Sequence, residues 1–331
     1  MGLKGMEDLE KIIQAESPLI DTFFQEIEKV IVGQKHLLER LLLGLLANGH
    51  ILIEGVPGLA KTMAVKTFSL MMQTKFQRIQ FTPDMLPADL TGTPIYNQST
   101  GSFTIKKGPV FTNILLADEI NRAPAKVQSA LLEVMQEKQV TIGEQTFPLD
   151  DPFLVLATQN PIEQDGTYFL PESQLDRFMF NVKISYPSRQ EEVRILRNMS
   201  VTDKKFDVKK VLDPRHILGI RKIIDQIYID EKVEEYLLDI VEATRYPEKF
   251  GITDLKGLIQ FGVSPRATIH LSVAAKAYAF IQGRAYVRPE DVKAVAQDVL
   301  QHRLIESVQA GAQGFSAENL IQIVLDRIEM R

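Results

Sequence analysis

The chain has 331 residues, a formal net charge of -5, 45% hydrophobic and 24% charged residues, five histidines and no cysteine. That length suits a large domain followed by a smaller one, and the composition is that of a folded globular protein and not of a disordered chain. The acid excess disfavours a general nucleic-acid-binding face, and the lack of cysteine removes disulfides, thiolate metal sites and cysteine nucleophiles together.

The first residues, Met1-Gly2-Leu3-Lys4-Gly5, lead into a charged helical pattern without the apolar core of a signal peptide. No stretch approaches the ~20 apolar residues of a membrane span, so the expected compartment is the cytoplasm. From residue 50 to 183, short apolar runs alternate with amphipathic segments. The runs are Ile51-Leu52-Ile53, 76–81, Ile114-Leu115-Leu116-Ala117, 153–157 and 178–184. This alternation predicts an α/β core: a parallel five-stranded sheet, apolar on both faces and covered by helices on both. Two hairpins interrupt it. One, near 92–109, pairs Ile95-Tyr96 with Phe103-Thr104-Ile105. The other, near 140–148, pairs Val140-Thr141-Ile142 with Gln145-Thr146-Phe147 across Gly143-Glu144.

After Tyr186-Pro187-Ser188 the strand signal stops and helical periodicity replaces it. Asp213-Pro214, Asp230, Ser264-Pro265 and Pro289 each read as helix starts. The expected division is therefore a core of residues 1–187 and an all-helical domain of residues 188–331.

Three strand ends carry chemistry. Gly55-Val56-Pro57-Gly58-Leu59-Ala60-Lys61-Thr62 follows the first strand and runs into an amphipathic segment beginning at Met63. Backbone N–H groups of such a loop wrap β- and γ-phosphates, assisted by the helix dipole, while Lys61 would meet the phosphates and Thr62 would hold magnesium. Ala60 stands where the general pattern has glycine, which requires ordinary right-handed backbone there. Asp118-Glu119 ends the strand that begins at Ile114: Asp118 would coordinate magnesium through water and Glu119 would polarise an attacking water. Asn160 ends a third strand, placed to hold the lytic water or the γ-phosphate. The five histidines are scattered without ligand spacing, so no metal site made by the protein alone is expected.

Taken in order, these stretches resemble the signatures of the MoxR family of AAA+ ATPases. They are Val32-Gly33-Gln34, the loop at 55–62, Gln80-Phe81-Thr82-Pro83-Asp84-Met85-Leu86-Pro87-Ala88-Asp89-Leu90-Thr91-Gly92, Asp118-Glu119-Ile120-Asn121-Arg122-Ala123-Pro124, Ala157-Thr158-Gln159-Asn160-Pro161, Leu175-Asp176-Arg177-Phe178 and Ser264-Pro265-Arg266. They span about 30–303, and 81–92 is the most family-specific part.

The resemblance implies a P-loop AAA+ core with a smaller all-α lid, binding ATP or ADP with magnesium. It implies rings, usually hexamers, that remodel or mature partner complexes in a chaperone-like way, commonly with von Willebrand factor A domain proteins. It makes Arg177 the arginine finger that completes a neighbouring subunit's site, and Arg266 the second sensor in the first turn of a lid helix. Each is also compatible with a plainer role, as a helix-end ion pair or a solvated side chain. Gly33 and Gln34 would approach the adenine, with the hairpins facing the ring pore or a client. Arg122 has two readings: a bridge between subunits, or a partner for Glu119 or Glu133. Two rival functions stay open at this level: a nucleotide-gated binding module with little turnover, and a DNA-associated motor, for which Lys106-Lys107 offers slight support.

Overall fold

The computed structural model describes residues 3–56, 58–59, 61–99, 101–160, 167–200 and 208–330. Helices α1 (Leu3–Ile27) and α2 (Lys35–Leu46) precede β1 (Ile51–Glu54), and α3 (Lys61–Met71) connects it to β2 (Phe76–Gln80). A one-turn α4 (Pro87–Thr91) leads into the first hairpin, β3 (Gly92–Asn97) with β4 (Ser102–Lys107). Then come β5 (Ile114–Asp118), α5 (Ala125–Glu137), the second hairpin β6 (Gln139–Ile142) with β7 (Gln145–Pro148), β8 (Leu154–Gln159), the short α6 (Glu172–Leu175) and β9 (Phe180–Lys183).

The main sheet has the order β2-β5-β8-β1-β9, with β2/β5, β5/β8 and β8/β1 paired in parallel. Every residue of β5 is buried, as are the first three of β1 and the first five of β8. These strands are apolar because helices cover both their faces. The expectation of apolar strands fails at β2, where Gln77, Arg78 and Gln80 are exposed and only Ile79 is buried. β2 is an edge strand, and its polar side chains belong to the site rather than to the core.

Because β5 and β8 insert between β1 and β2, the carboxyl ends of β1, β8 and β5 lie side by side. The registers Glu54↔Gln159 and Ala117↔Ala157 fix this alignment. Ligands of open parallel sheets bind at such ends, where successive connections diverge.

Both hairpins form as expected. Tyr96 faces Phe103, and Ile142 faces Gln145 across Gly143, whose φ of +62° suits a tight turn. Thr100, at the tip of the first, lies outside the described residues.

Helices α7 (Arg189–Met199), α8 (Pro214–Asp225), α9 (Glu231–Arg245), α10 (Pro265–Ile281), α11 (Pro289–Leu300), α12 (Val308–Ala312) and α13 (Ala317–Arg327) follow. Asp230 caps α9 by accepting from the Lys232 amide, and Asp213 accepts from the His216 amide at 2.9 Å. Ser264 is the N-cap residue of α10, yet its hydroxyl makes no capping bond, so Pro265 at the first helical position sets that start. The helical region also carries a two-stranded ribbon, β10 (Ile259–Phe261) with β11 (Ile305–Glu306), too short to show alternation in the sequence.

The chain divides into two compact units. One is Asp21–Arg177 with Val182–Leu218; the other is Met1–Ile20, Phe178–Asn181 and Gly219–Arg331. A single cut near Ser188 therefore does not describe the division. The onset of helical periodicity marks a change of secondary structure, not of packing partner. Beyond α7 the amides of Val211 and Leu212 still donate to the Met71 carbonyl, and the Lys209 amide donates to the buried Glu26. Among the described residues no helix is long and apolar enough to cross a membrane.

Candidate functional site

The chain leaves β1 at Glu54 and turns at once. Gly55 donates its N–H to the Gln159 carbonyl at 3.4 Å, and a side chain there would crowd the Ile184 carbonyl. Gly58 has a φ of +88°, a conformation other residues rarely adopt, and open space where a Cβ would sit. Lys61 opens α3, and its Nζ donates to the Gly55 carbonyl at 2.6 Å, closing the loop on itself. Burial pushes the Lys61 pKa down, while Asp118 and Glu119 act the other way.

The two acids are held from several sides. The Thr158 hydroxyl donates to Asp118 Oδ1 at 2.5 Å and accepts the Glu119 N–H at 2.9 Å. Arg78 from β2 donates to Asp118 Oδ2 through Nε (3.1 Å) and an Nη (2.7 Å). Glu119 Oε2 accepts from Gln80 Nε2 at 2.7 Å and pairs with Arg122 Nε at 3.1 Å. Of the two readings of Arg122, the pairing with Glu119 is thus present within the chain. Glu119 has a φ of +58°, rare for a non-glycine residue. The Thr158 bond to its N–H accompanies that conformation.

Gly58, Leu59, Lys61, Thr62, Met63, Asp118, Glu119, Thr158 and Asn160 line one cavity of about 470 Å³. A smaller apolar cavity of about 110 Å³ shares Gly58, Leu59 and Met63 with it and adds Val30, Ile31, Val32, Gln34, Pro187 and Ile195. Gln34 anchors this side by donating its amide to the Ser185 carbonyl at 3.2 Å. Gly33 lies beside it, where a Cβ would press on the Glu191 carboxylate at 2.7 Å. Charged and polar side chains, Lys61, Thr62, Asp118, Glu119 and Asn160, line the larger cavity, while the smaller is lined mainly by aliphatic ones, a division of the kind that suits a nucleotide's phosphates and base.

For magnesium the relevant donors are the Thr62 hydroxyl and the Asp118 carboxylate. Such a hard oxygen set suits an ion that keeps most of its ligands as water and phosphate. No cluster of three or more metal-ligating side chains occurs among the described residues.

The structure thus gathers Gly58, Leu59, Lys61, Thr62, Met63, Asp118, Glu119 and Asn160 and sets Gln34 next to them, with Gly33, Gly55 and Val56 in the flanking backbone. Pro57, Ala60 and Pro161 lie outside the described residues. Arg177 is elsewhere: it donates to the Leu132 carbonyl at 2.8 Å and lines a separate recess with Ser129, Glu133, Glu137 and Gln174. Arg266 is exposed in the first turn of α10, in the other compact unit. Thr158, Arg78 and Gln80 were not expected as site residues. The signal for Thr158 was its place at the end of the strand bearing Asn160.

The strand order, with this loop after β1 and the acids at the end of β5, is that of an AAA+ ATPase. The sequence signature described as "ATPase family associated with various cellular activities (AAA)" matches residues 50–180, and that of the AAA lid domain matches residues 253–323. The chain is 48% identical to Chaperone MoxR1 of Mycobacterium tuberculosis over 318 residues, covering 96% of this chain and 84% of that protein. It is 40% identical over 313 residues to the protein YeaC of Bacillus subtilis, covering 95% of each. A crystal structure assigned as an ATPase from Cytophaga hutchinsonii superposes with a TM-score of 0.91 at 49% identity, covering 99% of both chains. The chain belongs to the MoxR family of AAA+ ATPases.

Proposed function

We propose that this chain binds ATP with magnesium in the 470 Å³ cavity, hydrolyses it, and uses the cycle to remodel or mature partner protein complexes as part of a ring, usually a hexamer. The observation that carries this reading is the convergence of Lys61, Thr62, Asp118, Glu119 and Asn160 on one cavity at the carboxyl ends of parallel strands.

In this reading Lys61 and the loop N–H groups bind the β- and γ-phosphates. Thr62 and Asp118 hold magnesium, which when bound neutralises phosphate charge. Glu119 takes the proton of the attacking water, and Asn160 orients that water or the γ-phosphate. Arg177 reaches a neighbouring subunit's nucleotide, in keeping with its place outside its own cavity, and Arg266 senses the γ-phosphate from the lid. A von Willebrand factor A domain protein is the kind of partner such a ring serves, and the chaperone named among the relatives supports a remodelling role.

Two observations speak against a DNA motor. The net charge is -5. The Lys107 ammonium already lies 4.6 Å and 4.9 Å from the Phe111 and Phe147 ring centroids, which occupies half of the only lysine pair on the hairpins among the described residues.

Glu119→Gln is the test. It keeps the side chain's shape and should leave nucleotide affinity intact while turnover falls by about 10²–10⁴, the worth of a positioned general base. Wild-type turnover in this variant, measured as phosphate release, would remove Glu119 from the mechanism.

A further inference from the structure

A single 3₁₀ turn, Ile120–Arg122, joins the two acids of the site to α5. Asn121 in that turn and Gln128 at the start of α5 are 4% and 1% exposed, and neither lines the cavity beside Lys61. Both direct their amide N–H groups at main-chain carbonyls. Gln128 Nε2 donates to the Ile120 carbonyl at 3.2 Å and to the Tyr168 carbonyl at 3.0 Å. Since carbonyls only accept, the amide must present its nitrogen there. Asn121 Nδ2 donates to the Asn160 carbonyl at 3.4 Å, and the Asn121 carbonyl accepts the Tyr168 N–H at 2.6 Å. All of these residues belong to one compact unit.

Glu119 needs support of this kind. Its φ of +58° is strained for a side-chain-bearing residue and persists where the surroundings over-determine it. On one side the Thr158 hydroxyl accepts its N–H. On the other, the turn's own bonds run from the Arg122 amide to the Glu119 carbonyl at 2.9 Å and from the Ala123 amide to the Ile120 carbonyl at 3.1 Å. These set the shape of the turn and do not fix its tilt against β8 and α5. Gln128 ties the turn to α5, and Asn121 ties it to the end of β8, where Asn160 stands. The turn also carries Arg122, whose Nε meets the Glu119 carboxylate at 3.1 Å. A tilt of the turn therefore displaces both the backbone of Glu119 and a partner of its carboxylate. Asn121 Oδ1 is buried without a partner among the described residues, which is costly, so stability alone does not account for an amide at this place.

We infer that Asn121 and Gln128 are positioning residues for Glu119, two buried amides that set where its carboxylate stands relative to Asn160. The inference rests on the reading of Glu119 as the base that takes the proton of the attacking water. Because neither side chain lines the cavity, their loss is felt in turnover and not in affinity.

The test combines Gln128→Met, which keeps a long unbranched side chain but donates nothing, with Glu119→Gln in the full chain. In Gln128→Met, affinity for a fluorescent ATP analogue should stay within about twofold, while turnover at saturating ATP falls about tenfold or more, as expected when a reacting group is displaced by about an ångström. In protein that already carries Glu119→Gln, the same change should cost less than about twofold in single-turnover phosphate release, because no base is left to misplace. A merely structural defect would lower turnover by the same factor in both backgrounds.

Normal turnover in Gln128→Met, a loss of affinity along with turnover, or an equal loss in both backgrounds overturns the positioning role and leaves Glu119 as the base. Parent-like turnover in Glu119→Gln alone removes the base, and the positioning role falls with it. Should Gln128→Met not fold, as judged by circular dichroism, Asn121→Ala, which removes the bond to Asn160, is read by the same outcomes.

Discussion

Thr158 sits where the two acids meet: one hydroxyl serves Asp118 and the Glu119 amide at once. At this scale the site is a network in which each charge already has a partner. Arg78 is half exposed and shares Asp118 Oδ2 with whatever cation Asp118 is to serve. Removing its competing charge should strengthen magnesium binding. Arg78→Ala is expected to lower the magnesium concentration for half-maximal nucleotide binding by about 1.4- to fivefold, the equivalent of the ~0.2–1 kcal/mol of a partly exposed ion pair. A magnesium titration that moves the other way would show that Arg78 assists the cation site instead. Lys61, Asp118, Glu119 and Asn160 were legible in the sequence because each follows an apolar strand, and strand ends in a parallel sheet share one edge. Arg78 and Gln80 were not, because they reach the acids through β2/β5 pairing, and which strands are neighbours is decided by the topology of the whole sheet.

At the scale of elements, the first hairpin is tied down at its base, not its tip. A side chain on Gly92 would overlap the Lys106 carbonyl, and Gly92 also has a φ of +106°. Gly101 has a φ of +65° but open space around it. Gly92→Ala is therefore expected to cost about 2 kcal/mol or more, strain and overlap combined, against about 1 kcal/mol for Gly101→Ala. Urea unfolding midpoints measure both, and equal losses would show that the close approach at the base is not the constraint. Both hairpins could be read from alternation and turn residues, since those signals are local. The β10–β11 ribbon could not, because strands of two and three residues carry no period. The polar edge of β2 escaped notice for a related reason: Phe76 and Ile79 mark a strand, but nothing local says that one flank of it goes uncovered.

At the scale of the molecule, apolar strand runs and helical periodicity reveal the α/β core and the helical region but not the path by which they share the chain. Phe178–Asn181 opens the apolar run that forms β9, yet it is also bound by Gln301, His302 and Arg303, more than a hundred residues further on. Burial of polar side chains against distant carbonyls leaves no pattern in either segment alone. Arg177 lines a recess separate from the cavity that holds Lys61, so one unit's cavity does not contain every residue assigned to the reaction. The central claim is that a nucleoside triphosphate docks where Gly58, Lys61, Thr62 and Asp118 meet. Titrating the full chain with a fluorescent ATP analogue, with and without magnesium, addresses it most directly. Saturable, magnesium-enhanced binding that weakens about a hundredfold or more in Lys61→Ala, as fits the loss of a buried charge-assisted contact, is the expected result. Equal affinity in the parent and Lys61→Ala, or no binding at any magnesium concentration, would contradict it.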